Sequence, residues 1–277
     1  LISRTESPVA FTIGANTSRG QSFIINRNER LHLSPICWYP QAQTWALSPG
    51  YEFFSHHFER PVLAECIFCH VNYAERAPQT VNRYRLPLDR GYAIGCERCH
   101  GPGELHVRLR ESRRPVDGHD DTIVNPRDLP YDRREDVCQQ CHLAGNPRVL
   151  RPGRQEFDYR PGLDLPDFWS IFVTPPALAE KRAAIGTVEQ MVASRCYAES
   201  KGDGKLGCIS CHDPHRLPAP AEKAAYFRDR CLTCHADRGC KLDQKERLLK
   251  NPANNCVECH MPRLSSSNIA HVPLTDH

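Results

Sequence analysis

Six times along 277 residues, a cysteine is followed three positions later by a second cysteine and then at once by a histidine. The pentads are Cys66-Cys69-His70, Cys96-Cys99-His100, Cys138-Cys141-His142, Cys208-Cys211-His212, Cys231-Cys234-His235 and Cys256-Cys259-His260. With 15 Cys and 14 His in the chain, random shuffling predicts about 0.04 such pentads, so the pattern is a repeat with a cause. Two thiols at this spacing can form thioethers to a porphyrin while the adjacent imidazole binds its iron, the attachment chemistry of c-type haem. Zinc sites and disulfide frameworks also use paired cysteines, but neither gives the histidine a role. Six covalently attached c-type haems are expected.

Each iron held by a motif histidine has an opposite face. Eight histidines lie outside the motifs: His32, His56, His57, His106, His119, His215, His271 and His277. Complete bis-histidine ligation is therefore possible by number. His215 follows His212 by three residues, and three extended residues span at most about 11 Å, too short a path around a macrocycle. His215 is thus structural or the ligand of a neighbouring haem. His106 follows a Gly-Pro-Gly turn after His100 and reads as a ligand donated to a different haem. His277, His119 and His271 are further distal candidates, each with the alternative of a surface or propionate-bonding role. His56 and His57 are adjacent, so at most one of them binds iron, and His32 is the weakest candidate. Methionine ligation has only Met191 and Met261 to draw on, and both read as packing residues.

Three cysteines lie outside the motifs. In an oxidising compartment Cys196 and Cys240 can pair across the second group of motifs, leaving Cys37 beside Trp38 and Tyr39.

The elements that must position these groups are short. Residues 1–60 carry "VAFTIG", "QSFII", "RLHLS" and "QTWALS" between Gly, Asn and Pro, and read as a β-rich lead-in. Residues 61–150 hold the first three motifs and 201–277 the last three. Residues 151–200 open with Pro- and Gly-rich "RPGRQEFDYRPGLDLPDF", then continue into a helix predicted over about 177–199, and read as linker and helix. Helices also feed two motifs directly, in "YDRREDVCQQCH" and "PAEKAAYFRDRCLTCH". The expected fold class is a multihaem cytochrome c: haem-cored, mainly short helices and irregular loops, with a small β-rich N-terminal segment. Apolar residues make up 40% of the chain and aromatics 8%, with 23 Pro, so porphyrin surface is expected to supply most of the core.

The formal charge of +3 would become about −9 with twelve haem propionates ionised, so many Lys and Arg are expected to pair with propionates. That argues against "RLRESRR" as a nucleic-acid patch. No run of 18 apolar residues exists, so no membrane span is expected. The chain starts at Leu1 without an apolar leader and reads as a mature or trimmed form. Haem attachment of this type occurs outside the cytoplasmic membrane, which predicts a periplasmic or extracellular protein.

The phrases "CERCHGPGELHV", "VCQQCHLAG", "SRCYAES", "LGCISCHDPH", "CLTCHADRGC" and "CVECHMPR" with "HVPLTDH" resemble the bacterial multihaem cytochromes c often fused to tetratricopeptide repeats. That group is related to the tetrahaem electron acceptor of hydroxylamine oxidation. The resemblance spans nearly the whole chain, including "WALSPGY", and implies electron transfer and bis-histidine ligation, with His106, His215 and His277 in matching positions. It favours a Cys196–Cys240 pair and allows a tetratricopeptide repeat region or partner. Family members often carry a further haem segment and repeats, which this chain lacks.

The expected function is a hexahaem electron conduit handing electrons to redox partner proteins or to copies of itself end to end, as a heterologous contact that does not close makes a filament. The alternative is a multihaem oxidoreductase acting on a small nitrogen or sulfur compound at one haem with an open distal position. All six motifs end in histidine, which removes the lysine marker of nitrite reductases in the wider grouping.

Overall fold

The computed structural model describes residues 6–14, 20–40, 42–51, 54–86, 88, 93–115, 118–143, 147–173, 186–236, 239–251, 253–262, 275 and 277. The chain divides into two compact units, residues 1–172 with 268–271, and residues 173–267 with 272–277. The first three motifs fall in the first unit and the last three in the second.

The first unit opens with an antiparallel four-stranded sheet in sequence order: β1 (Val9–Ile13), β2 (Gln21–Arg27), β3 (Arg30–Tyr39) and β4 (Thr44–Leu47). The β2–β3 hairpin turns through Asn28 and Glu29, both at positive φ (52° and 64°), as a two-residue loop matched to strand twist requires. Between Ser22 and Ile24 the register shifts, two positions of β2 spanning four of β3, and beyond it Ile24 and Ile25 are both buried. Ile24 and Leu31 pack with Val62, Ile67, Val71, Ala74 and Tyr84 into a side-chain core. The sheet thus seats α1 (Ala64–His70), whose buried Ile67 and Phe68 lie between the cysteines of the first motif.

Three further helices complete the first set of motifs: α2 (Glu97–His100), α3 (Glu104–Glu111) and α4 (Tyr131–His142). The segment from Arg151 onward, expected as a linker, belongs in part to this unit. Strands β5 (Arg148–Leu150) and β6 (Trp169–Ile171) pair antiparallel, and Tyr159, Leu165, Phe168 and Trp169 form a second core cluster around them. The aromatic residues in that Pro- and Gly-rich run give it apolar area to bury, which a linker lacks. The lead-in sheet shares a unit with the first three motifs.

The second unit is built from short helices: α5 (Thr187–Ala193), α6 (Arg195–Glu199), α7 (Cys208–Cys211), α8 (Lys223–His235), α9 (Gln244–Lys250) and α10 (Cys256–His260). The helix expected over 177–199 is seen as α5 and α6, separated where Ser194 leaves the helical conformation to cap α6; residues 177–185 lie outside the described residues. Val188 is the one buried large hydrophobic side chain among the described residues of this unit. The fold is one of short helices, irregular loops and an N-terminal antiparallel sheet, as the sequence predicts.

Candidate haem sites

Every motif lies in or against a helix. The helices α1, α2, α4, α8 and α10 end on the motif histidine, and α7 ends one residue before His212. Helical spacing explains the pentad: residues i, i+3 and i+4 share one face, so two thiols and an imidazole point the same way. The position before the second cysteine points elsewhere and is free to pack.

In the first unit those packing positions meet. They are Phe68, Arg98 and Gln140, all nearly inaccessible at 1%, 6% and 2% exposure. The Arg98 guanidinium lies 4.2 Å from the Phe68 ring centroid and donates to the Phe68 carbonyl at 3.1 Å. Gln140 donates to the Arg98 carbonyl at 2.9 Å. This chain of contacts brings the thiols together. A hydrogen bond from Cys69 holds the Cys141 thiol below its ordinary range, with help from Arg98 and Arg148, and the same contact pushes Cys69 up. Burial, then Cys138 and Cys141, raises Cys99.

In the second unit the thiols also converge. Burial raises Cys231 to about 11, with Cys256, Cys211 and Cys196 adding to the shift. Burial raises Cys211 as well, with Cys196 and Cys234 next. The corresponding packing positions here are Ser210, Thr233 and Glu258, none of them buried, and they bond locally: Ser210 Oγ accepts from Gly207 N (3.1 Å) and Thr233 Oγ1 donates to the Arg230 carbonyl (2.7 Å). A cavity of about 710 Å³ opens beside the fourth motif, lined by His212, Leu217, Tyr226, Phe227, Val257 and Met261 among others.

The candidate distal histidines differ in their surroundings. His277 and His212 face each other with ring centroids 6.2 Å apart and planes within 29°. His277 is fixed by its backbone N–H on Gln190 Oε1 (3.1 Å) and by donation from Nδ1 to the Thr275 carbonyl (2.9 Å). That donation makes Nε2 the lone-pair nitrogen. His106, on α3, directs Nδ1 at Asp120 Oδ2 (2.9 Å), while Arg110 pairs with the same oxygen (2.7 Å). The Thr122 hydroxyl and backbone, then His106 and Arg110, hold the Asp120 carboxyl down at about 2. His100, a motif histidine, donates from Nδ1 to the Val124 carbonyl at 2.8 Å. Each of these contacts orients an imidazole through its second nitrogen, as ligating histidines require.

His119 sits between Asp121 (3.8 Å) and Asp128 (3.6 Å) on the surface. His215 is exposed beside Asp213 (3.9 Å). His56 places Nε2 3.0 Å from the Gly50 carbonyl and its ring edge-on to Tyr51, in a turn where His56, His57 and Phe58 all have positive φ. His32 is a strand residue, nearly buried, with Nδ1 on the Glu59 carbonyl (3.0 Å). His271 lies outside the described residues. Met261 lines the cavity beside His212, and Met191 lies on α5. Cys196 and Cys240 are both exposed free thiols in the structure, and Cys196 influences the thiols of the fourth and fifth motifs. Cys37 is buried in β3 with the Ser22 hydroxyl 3.6 Å away. Asp120, Arg98, Arg148 and Gln190 were not among the residues singled out by sequence, because no spacing rule ties them to a motif.

The haem reading can be tested on this geometry. The pentads on helices each set two thiols and an imidazole on one face, and the fourth borders a cavity with mixed apolar and polar walls near a second imidazole, His277. The residues fit the group.

Two families match segments of the chain: one described as "Cytochrome c554 and c-prime" over residues 42–101, and one described as "Doubled CXXCH motif" over residues 201–240. Among solved structures, the outer cell wall cytochrome OcwA is 16% identical with a TM-score of 0.47, covering 88% of this chain and 63% of that one. The undecahaem cytochrome from the S-layer of Carboxydothermus ferrireducens is 15% identical with a TM-score of 0.44, covering 96% and 45%. The chain therefore spans less than two thirds of the length of either. Among the described residues no helix is long and apolar enough to cross a membrane. Its six CxxCH motifs, with these two family matches, make the chain a multihaem c-type cytochrome.

Proposed function

We propose that this chain is a hexahaem electron conduit of the periplasm or cell exterior, with haem attached at all six motifs and most irons bound by two histidines. Haem supplies one-electron chemistry. The chain's own residues hold it, orient its ligands and set its surroundings. The observation that carries this reading is the placement of all six pentads in or against helices, which sets two thiols and an imidazole on one face of each, with His277, fixed by Gln190 and the Thr275 carbonyl, beside the fourth. An imidazole on each face leaves no position for a substrate, which favours transfer over catalysis. The His106–Asp120 contact supports a second such ligand. The scarcity of buried side chains in the second unit also supports it, since cofactor surface would complete that core.

Partners of such a conduit are redox proteins or further copies of the chain end to end. A cell-exterior location fits the attachment chemistry, and the names of the two structural neighbours refer to a cell wall and an S-layer.

The test is intact mass of the secreted protein together with quantified low-temperature electron paramagnetic resonance. Six haems per chain, all low spin and unaltered by nitrite or hydroxylamine, are expected. About one high-spin iron in six that shifts with a small ligand would replace the conduit with an oxidoreductase.

A further inference from the structure

The first unit keeps one arginine buried and a second half-buried beside it, where a protein interior ordinarily excludes cations. Arg98 is the one buried lysine or arginine among the described residues, and it lies inside the second motif. Its guanidinium stacks on Phe68 at 4.2 Å and Phe157 at 5.3 Å, and lies 4.0 Å from the Cys141 sulfur. Arg148 comes in from β5 over the Trp169 ring at 3.8 Å and the Phe68 ring at 5.1 Å. Arg98 Nε and Arg148 Nε and Nη2 are buried with no hydrogen-bond partner among the described residues.

Burying a cation without an anion is costly. The ion pairs of this unit use other arginines, such as Arg76 with Glu156 (3.7 Å) and Arg133 with Asp164 (2.9 Å). The buried carboxylates of α4 are engaged elsewhere: Glu135 lies 3.7 Å from Arg134, and Asp136 accepts from Leu165 N at 2.9 Å. The groups that act on Arg148 are the Cys69 and Cys141 sulfurs, Glu65 and Arg98, and burial is the largest influence on it, lowering its pKa. Both guanidiniums therefore sit among the attachment cysteines of the first and third motifs.

Resting on the haem reading above, we propose that Arg98 and Arg148 form a fixed positive centre that raises the reduction potentials of the haems attached at the first three motifs. Reduction adds one negative charge to an iron centre, and a nearby desolvated cation favours the state with that charge. The sign is the same whether the guanidinium acts on iron directly or neutralises a propionate, because its removal leaves the surroundings more negative in both cases. Among the described residues of the second unit no arginine or lysine is buried as a whole, and Arg247 alone keeps a buried nitrogen, Nε, without a hydrogen-bond partner.

The experiment is spectroelectrochemical titration of the full-length, haem-loaded protein and four variants: R98M, R98K, R148M and R148K. Each Met variant keeps an unbranched apolar stem and removes the charge, and each Lys variant keeps the charge. At a fixed potential the Met variants should lower the reduced-to-oxidised ratio of at least one haem about tenfold, about 59 mV for a one-electron couple. The Lys variants should stay near wild type. A titration unchanged in both Met variants overturns the inference, and so does an equal shift in Lys and Met variants, which would show packing and not charge at work. If R98M fails to load haem, the R148M and R148K pair decides alone. Peptide mass analysis of the wild type separates the two readings, since unmodified cysteines at the first three motifs would defeat the haem assignment itself.

Discussion

His212 and His277, sixty-five positions apart in the chain, stack with their ring centroids 6.2 Å apart and their planes 29° from parallel.

Replacing His277 by Ala should convert one haem's worth of low-spin signal to high spin while leaving the haem count unchanged. Paramagnetic resonance on wild type and variant, normalised to total haem, checks this. A fully low-spin variant would mean that His277 is not a ligand.

The His106–Asp120 contact makes a different prediction. A carboxylate accepting from Nδ1 enriches the imidazole and favours ferric iron, so Asp120→Asn should raise the potential of one haem without changing its spin state. His106→Ala should change the spin state as well. Acid should do neither until late. A carboxyl depressed to about 2 contributes fully above its unfolded value and is lost only as pH falls through the folded one, so that haem's spectrum should hold constant from neutrality to about pH 4. A spectral change near pH 5 would refute this.

The sheet is predicted to stabilise without tuning. Leu31 is fully buried against Ile24 and Val62, and Leu31→Ala should cost about 2–5 kcal/mol in denaturant unfolding followed by circular dichroism. Haem spectra of the folded variant should match wild type. Altered potentials would show that the strands act on the irons directly.

The parts of this protein legible in the sequence are those governed by local rules. Helices α4 and α8 follow from the charge and apolar spacing ahead of two motifs, and the strand lead-in follows from alternating residues between turn signals. The motif residues declare themselves because haem chemistry dictates their spacing. Long-range partners do not. Asp120 reaches His106 only through the fold of the intervening turn, and Gln190 reaches His277 across eighty-seven positions. The run from Arg151 to Trp169 reads as a linker when Pro and Gly are weighed, yet Tyr159, Phe168 and Trp169 make it a core element. The two variable positions inside each pentad are silent for a physical reason: cofactor attachment places no demand on them, so their identity reports only tertiary packing.

That freedom has a consequence for how the protein matures. Phe68, Arg98 and Gln140 close on one another over 30 and 42 residues of chain, and all three are shut away from solvent once they do. Thioether formation needs both cysteines of a pentad accessible to a bulky porphyrin and to the machinery that delivers it. The closure itself leaves the thiols in reach, with Cys66 and Cys96 exposed and Cys69, Cys99, Cys138 and Cys141 half-buried, so it fixes where the pentads stand without covering them. The bonds linking the three spacers act as a latch that holds three attachment points in one arrangement while their thiols still face outward.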